Sequence, residues 1–276
     1  MAEATIDRTP ERAAEPVPAP NLLFTLAEGY RAVWEAASLV STGPLLNALP
    51  RGDGHPVMVL PGFMASDQST GLLRRWLARL DYPAHPWTFG RNLGPRDDLL
   101  ERMLHRVREL ADAYGQPISL IGQSLGGIYA RELARNDPEA VRQVITLGSP
   151  FGALEGGGTN SGVSRLFESS TGKTRAEMAA EHIFSDMLVP PPVPCTAIFS
   201  KSDGIAHWKV CIERDAPHVD NVEIFGSHCG MGFNPVVIWI IADRLAQAAD
   251  DWTRFDRSGA RAYVVPPPVF ALPPGA

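Results

Sequence analysis

Cysteine is scarce, three in 276 residues, which is too few for a disulfide scaffold and matches no zinc-site spacing. Long apolar runs are missing as well. The longest, Val236 to Ala242, is far short of the roughly 20 residues a bilayer-spanning helix needs, so no transmembrane segment is expected. The first twenty residues alternate acids, arginines and prolines without an apolar core, a pattern that excludes a secretory signal. Basic residues are in the minority, 25 against 31 acidic ones. The net charge of −6 offers no electrostatic footprint for nucleic acid. These absences point to a cytoplasmic protein, and no metal or cofactor is expected. They leave the oligomeric state open.

What is present is an ordinary globular balance, 45% hydrophobic and 20% charged, with 25 glycines and 25 prolines that suit a fold with many turns. The length fits one α/β domain. Residues 1–20 are Ala/Pro/Glu-rich and read as a disordered tail. Residues 21–55 read as a helical segment packed on the core. Residues 56–250 read as the core itself, with a lid-like insertion at 151–190. The Pro-rich end, 251–276, reads as a solvated tail or an extended strap. In the first helix, Leu22, Leu23, Leu26, Tyr30, Val33, Trp34 and Ala37 recur at helical spacing. They are expected to face the body of the protein, because the opposite face is too poor in basic residues for a membrane surface.

From Pro56 onward, strand and helix alternate. Strands are expected at Pro56–Leu60, Tyr82–Trp87, Ile118–Ile121, Val141–Leu147, Val193–Phe199 and Asn221–Phe225. Helices are expected at Gln68–Leu80, Pro95–Tyr114, Leu125–Asn136 and from Asn234-Pro235, an N-cap with a first-turn proline, to about Ala248. This order predicts a doubly wound, mainly parallel sheet, which binds its ligands beyond the carboxyl ends of the strands.

One motif carries chemistry: Gly122-Gln123-Ser124-Leu125-Gly126, followed by Gly127. As bare text it is weak. Its context makes it specific, because a strand runs into it and a helix runs out of it. A serine at such a corner sits on a tight turn above the sheet edge. The Leu125 N–H at the helix N-terminus then faces the point where an oxyanion forms. A serine hydroxyl needs a base. His228, in Gly226-Ser227-His228-Cys229-Gly230 after the last strand, is placed to be one. His55, His85, His105, His182 and His218 read as ordinary histidines, and His207 as a candidate lining residue. Asp203, in the turn after Val193–Phe199, emerges at the same edge and is the expected acid. Asp215 and Asp220 are nearer His228 in sequence but feed the last strand at its opposite end. The second oxyanion donor is expected in Leu60-Pro61-Gly62-Phe63-Met64, at the Phe63 N–H.

The elbow, the order Ser124, Asp203, His228 and the Pro-Gly-Phe loop together resemble the α/β-hydrolase family, particularly bacterial serine esterases and lipases, over about Pro56 to Ala248. The resemblance implies Ser124 as nucleophile, His228 as base, Asp203 as acid and the amides of Phe63 and Leu125 as oxyanion hole. Two features depart from the family. Its oxyanion loop often reads His-Gly where this chain has Pro61-Gly62, and its opening antiparallel strands are replaced by helix before Pro56. The insertion between Pro150 and Pro190, with Phe167, Met178, Ile183, Phe184, Met187 and Leu188, corresponds to a lid whose apolar content favours an acyl chain. Phe63, Met64 and Met231 are expected to line the substrate wall, with Phe233 beside them. The implied reaction is hydrolysis of a carboxylic ester. Acyl transfer and thioester cleavage are the alternatives on the same triad, and a non-catalytic binding protein is a more distant one. Cys195 reads as a core thiol. Cys211 and Cys229 read as reduced, packed thiols, with a bridge between their loops as the alternative.

Overall fold

The computed structural model describes residues 17–96, 98–155, 157–174, 177, 187–248 and 251–269. Its centre is a sheet of six parallel strands: β1 (Val57–Leu60), β2 (Ala84–Pro86), β3 (Ile118–Gln123), β4 (Val141–Leu147), β5 (Cys195–Phe199) and β6 (Val219–Glu223), in the order β2-β1-β3-β4-β5-β6. Every pairing between neighbours is parallel. Parallel strands need crossovers, and helices supply them. The order reverses direction after β2, so crossovers fall on both faces of the sheet.

Side chains of successive strand residues point to opposite faces, and both faces are apolar. Val57, Val59, Ile121, Ile145, Ile198 and Val222 meet α2 (Gly71–Arg79) and α6 (Pro235–Leu245) in one core cluster. Met58, Leu60, Leu120, Val144 and Cys195 meet α3 (Leu99–Tyr114) and α4 (Leu125–Asn136) in the other. The helices obey local rules. In α3, Leu99, Met103, Val107 and Leu110 form the buried stripe, and Gly115 closes the helix at φ 64°. In α6, the Asn234 side chain accepts from the Val236 amide at 2.9 Å, with Pro235 at the first position.

The N-terminal helix α1 (Leu22–Leu46) corrects the sequence reading. It is present, but its expected inner face points outward. Leu22, Leu23, Tyr30 and Val33 are exposed, Leu26 at 75% and Trp34 at 61%. Only Leu39 and Leu46, near its end, enter the core. Its buried side near the sheet edge is polar, and Glu28 is 5% exposed. The three charged residues of α1, Glu28, Arg31 and Glu35, all bond to loops of the sheet.

At the other end, residues 251–269 form a strap rather than a solvated tail. Phe255 and Val265 are buried in the core. Asp220 takes the Phe255 amide at 2.7 Å and the Arg257 guanidinium at 2.9 Å. Residues 1–16 and 270–276, expected as tails, lie outside the described residues. So do Met178, His182, Ile183 and Phe184 of the insertion. The described part of the insertion contains α5 (Ser161–Thr171), capped by the Asn160 side chain. No helix among the described residues is long and apolar enough to cross a membrane.

Candidate active site

Ser124 occupies the turn between β3 and α4 with φ 52° and ψ −121°. A positive φ on a residue other than glycine is strained and must be held by its surroundings. The glycines of the motif explain how. A Cβ on Gly122 would sit less than 3.0 Å from the backbone of Gly126 and Gly127, and one on Gly126 less than 3.0 Å from the Leu60 and Pro61 carbonyls. β1, β3 and α4 therefore approach more closely than any side chain permits. The Ser124 amide bonds to the Leu147 carbonyl at 2.9 Å, which joins the turn to β4.

Asp203 and His228 are brought together from the ends of β5 and β6. His228 Nδ1 donates to Asp203 Oδ2 at 2.7 Å, and both side chains are buried. Oδ1 of the same carboxylate accepts the amides of Ile205 and Ala206, each at 2.7 Å. A donor at Nδ1 leaves Nε2 of the neutral ring as an acceptor. The imidazole pKa lies above its ordinary value. Burial alone would lower it, but the charge and hydrogen bond of Asp203, together with the charge of Glu28, outweigh burial. The Gln123 side-chain amide donates to the His228 carbonyl at 2.9 Å, so the residue before Ser124 grips the histidine loop. Gly148, at the end of β4, leaves the space between them. A Cβ there would lie 3.1 Å from Asp203 Oδ2, from His228 Nδ1 and from Met231 Sδ.

The Pro61-Gly62-Phe63 loop packs directly on the elbow, because a Gly62 Cβ would be 3.3 Å from Ser124 Cβ. Neither the Phe63 nor the Leu125 amide donates to another described residue. Asn92, fully buried, holds this loop in place. Its Nδ2 donates to the Pro61 carbonyl at 2.9 Å, and its carbonyl accepts the Met64 amide at 2.7 Å. Phe63, Ser124, Leu125, Ile128, Val163 and Phe167 line a cavity of about 80 Å³, and the rings of Phe63 and Phe167 meet edge to face at 5.2 Å. The other expected wall residues lie elsewhere. Met64 stands 37% exposed, and Met231 is wholly buried beside the Asp203–His228 pair. His207 stacks on Trp208 and caps the Lys209 amide rather than lining the cavity. Cys195 and Cys211 are buried free thiols. Cys229 is free and exposed, so it is neither bridged nor packed.

A hydrogen-bonded Ser–His–Asp chain lies at the opposite end of β3. His55 Nδ1 donates to Asp53, and His55 Nε2 is 2.9 Å from Ser119 Oγ. The connectivity is that of a triad, but Ser119 and His55 are fully buried and neither lines the cavity beside Ser124. Ser119 lies five residues before Ser124, about 16 Å down the strand, at the edge where parallel sheets do not bind ligands. This chain ties the β1 and β3 ends of the sheet to the loop before β1, where Arg142 also reaches Asp53 at 2.9 Å.

Several residues of the site escaped the sequence reading: Asn92, Gln123, Glu28 and Glu35. One signal for the last two exists, since the charges of α1 are confined to positions 28, 31 and 35 on one stripe.

The parallel sheet, the elbow after β3 and the acid and histidine loops after β5 and β6 define the α/β-hydrolase fold. Among solved structures the chain is similar to lipase B of Aspergillus fumigatus, with a TM-score of 0.52 at 15% identity over 72% of this chain. The match spans 55% of that lipase's length. It is also similar to an alpha/beta hydrolase enzyme from the metagenome of sediments of the Mar Chica lagoon in Morocco (TM-score 0.45, 20% identity, 66% of this chain and 85% of that one). A third is a monoacylglycerol lipase of Paleococcus ferrophilus (0.47, 14%, 71% and 96%). No protein-family model and no curated protein matches the sequence. The likeness is one of fold, and the chemistry must be argued from the site.

Proposed function

We propose that this protein is a serine hydrolase that cleaves small carboxylic esters with an apolar acyl group, by way of an acyl-serine intermediate. The observation that carries the reading is the Asp203–His228 pair, held against the strained elbow that bears Ser124. In this reading Ser124 Oγ attacks the acyl carbon and passes its proton to His228 Nε2. Asp203 stabilises the imidazolium. The carbonyl oxygen takes up the negative charge and accepts from the two unspent amides of Phe63 and Leu125. Collapse of the tetrahedral species expels the alcohol, which takes its proton from His228. A water molecule then repeats the sequence on the acyl group and restores the serine.

The apolar lining of the cavity supports the acyl preference. Its volume is about 80 Å³. A short acyl group suits that space, and a longer one requires Phe63 and Phe167 to part. This makes α5 the lid of the reading, with residues 151–190 as the insertion that carries it. A cytoplasmic setting belongs to the same proposal and is supported by the three free cysteines.

The test is turnover of nitrophenyl esters from short to long acyl chain, with labelling by a serine-directed fluorophosphonate. Wild type should label and Ser124→Ala should not. Equal labelling of both, or none of wild type, ends the reading.

A further inference from the structure

The polar stripe of α1 is spent on the loops that carry the acid and the base. Glu28 Oε1 accepts the amide of Gly204 at 2.8 Å, next to Asp203, and the amide of His228 itself at 3.0 Å. Its Oε2 accepts the Cys229 amide at 2.9 Å. One turn on, Arg31 donates to the Ser202 carbonyl at 2.6 Å and its hydroxyl at 2.8 Å. A further turn along, Glu35 accepts the Ser227 amide and hydroxyl, both at 2.7 Å. Thr25, one turn before Glu28, donates to the Gly204 carbonyl at 2.6 Å.

These contacts depend on close approach. A Cβ on Gly204 would lie under 3.0 Å from the backbone of Phe24 and Thr25, and one on Gly230 would collide with the Glu35 carboxylate. A buried carboxylate is costly unless its oxygens are satisfied. An apolar side chain would fill the space under α1 without that cost, and it would bond to neither loop. Glu28 bonds to both.

We infer that Glu28 is a positioning residue of the reaction: its carboxylate, gripping the backbone beside Asp203 and at His228, fixes the two loops relative to each other. The inference rests on the proposed roles of Asp203 and His228. Its charge also acts on the imidazole and favours the protonated ring. Asp203 after β5 also acts on that ring; Cys229, next in sequence, and Glu35 of α1 interact with Glu28, and Arg31 with Glu35.

Two variants separate the effects. Glu28→Gln removes the charge and one acceptor, and Glu28→Asp keeps the charge but shortens the reach. Both should lower kcat by about ten- to a hundred-fold with little change in KM, as small misplacements of a catalytic group do. The acid limb of kcat/KM should move to lower pH in Glu28→Gln and stay at its wild-type position in Glu28→Asp. A merely structural carboxylate would lower the melting temperature and leave that limb in place. A folded Glu28→Gln with wild-type kcat and acid limb overturns the inference. Should neither variant fold, hydrogen exchange on the wild-type protein decides. Protected amides at Gly204, His228 and Cys229 support the grip, and exchange as fast as in exposed loops overturns it. Fluorophosphonate labelling keeps the two readings apart. An unlabelled wild type counts against the site itself, whereas a labelled one with an unaltered Glu28→Gln counts against Glu28 alone.

Discussion

Asp203 gives each of its oxygens a different task. Oδ2 holds His228 Nδ1 at 2.7 Å, and Oδ1 is locked by the amides of Ile205 and Ala206. The carboxylate can therefore neither rotate nor retreat without breaking three bonds. Asp203→Asn should leave the fold in place and lower kcat by up to about 10⁴-fold, with KM little changed, because the amide favours the wrong imidazole tautomer. Asp220→Asn should act differently. That side chain serves Phe255 and Arg257 in the C-terminal strap, so the loss should appear in melting temperature. Steady-state kinetics and thermal melts on the two variants check both statements.

The proposed Ser124 site and the buried Ser119–His55–Asp53 chain make opposite predictions. Ser119→Ala strands His55 Nε2 without its buried partner and should cost about 1–3 kcal/mol of stability. It should leave fluorophosphonate labelling intact. Ser124→Ala should abolish labelling and leave the melting temperature near or above wild type, since alanine relieves no core contact. Labelling that follows Ser119 instead would transfer the chemistry to the buried chain.

The pH dependence has a definite sign. In the proposed mechanism His228 must be neutral to accept a proton, and its pKa lies above the ordinary histidine value of about 6.5. Activity should therefore begin to fall on acidification at a pH above about 6.5. His55 works the other way on stability. Burial, with a smaller contribution from Arg142, holds its pKa below the ordinary value, although Asp53 opposes this. The unfolded chain then takes up the proton first, and stability is lost as the pH falls below about 6.5. His55→Gln should flatten the decline of melting temperature between pH 7 and 5, as measured by calorimetry across that range.

On α1, Gly29 has nothing within 4 Å of where its Cβ would stand. Gly29→Ala should stabilise the protein by about 0.5–1 kcal/mol through helix propensity alone. Leu26→Gln, on the exposed face, should change stability by no more than about 0.5 kcal/mol, while Leu39→Ala should cost about 2–5 kcal/mol. Thermal or denaturant melts test all three. A large loss from Leu26→Gln would restore the apolar-inward reading of this helix.

The contrast between α1 and the elbow shows what a sequence makes legible. The elbow is local: strand, glycines, serine and helix are consecutive, and α4 and β4 begin and end where periodicity and turn residues place them. Asp203 and His228 follow from topology, because each lies in the loop after a strand, at the carboxyl edge. The orientation of α1 does not follow. Periodicity assumes that the apolar stripe is buried, yet the partners of Glu28 are backbone amides 176 to 201 residues away that leave no mark on the pattern. Asn92 was invisible for the same reason, since its partner is a carbonyl, which every residue has. The pocket wall suffered from the opposite error. Met64 and Met231 lie close to site residues in sequence, but one turns to solvent and the other into the core.

The long reach of Glu28 also sets an order of events during synthesis. A ribosome adding about 5–20 residues per second needs roughly ten to forty seconds between making Glu28 and making the amides it binds. Through most of that interval Glu28 lacks the amides it binds, while β1 to β5 can already assemble. Full capture of α1 is thus tied to the emergence of the His228 loop. The fastening of the proposed acid and base loops to Glu28 thus waits on amides made 176 to 201 residues after it.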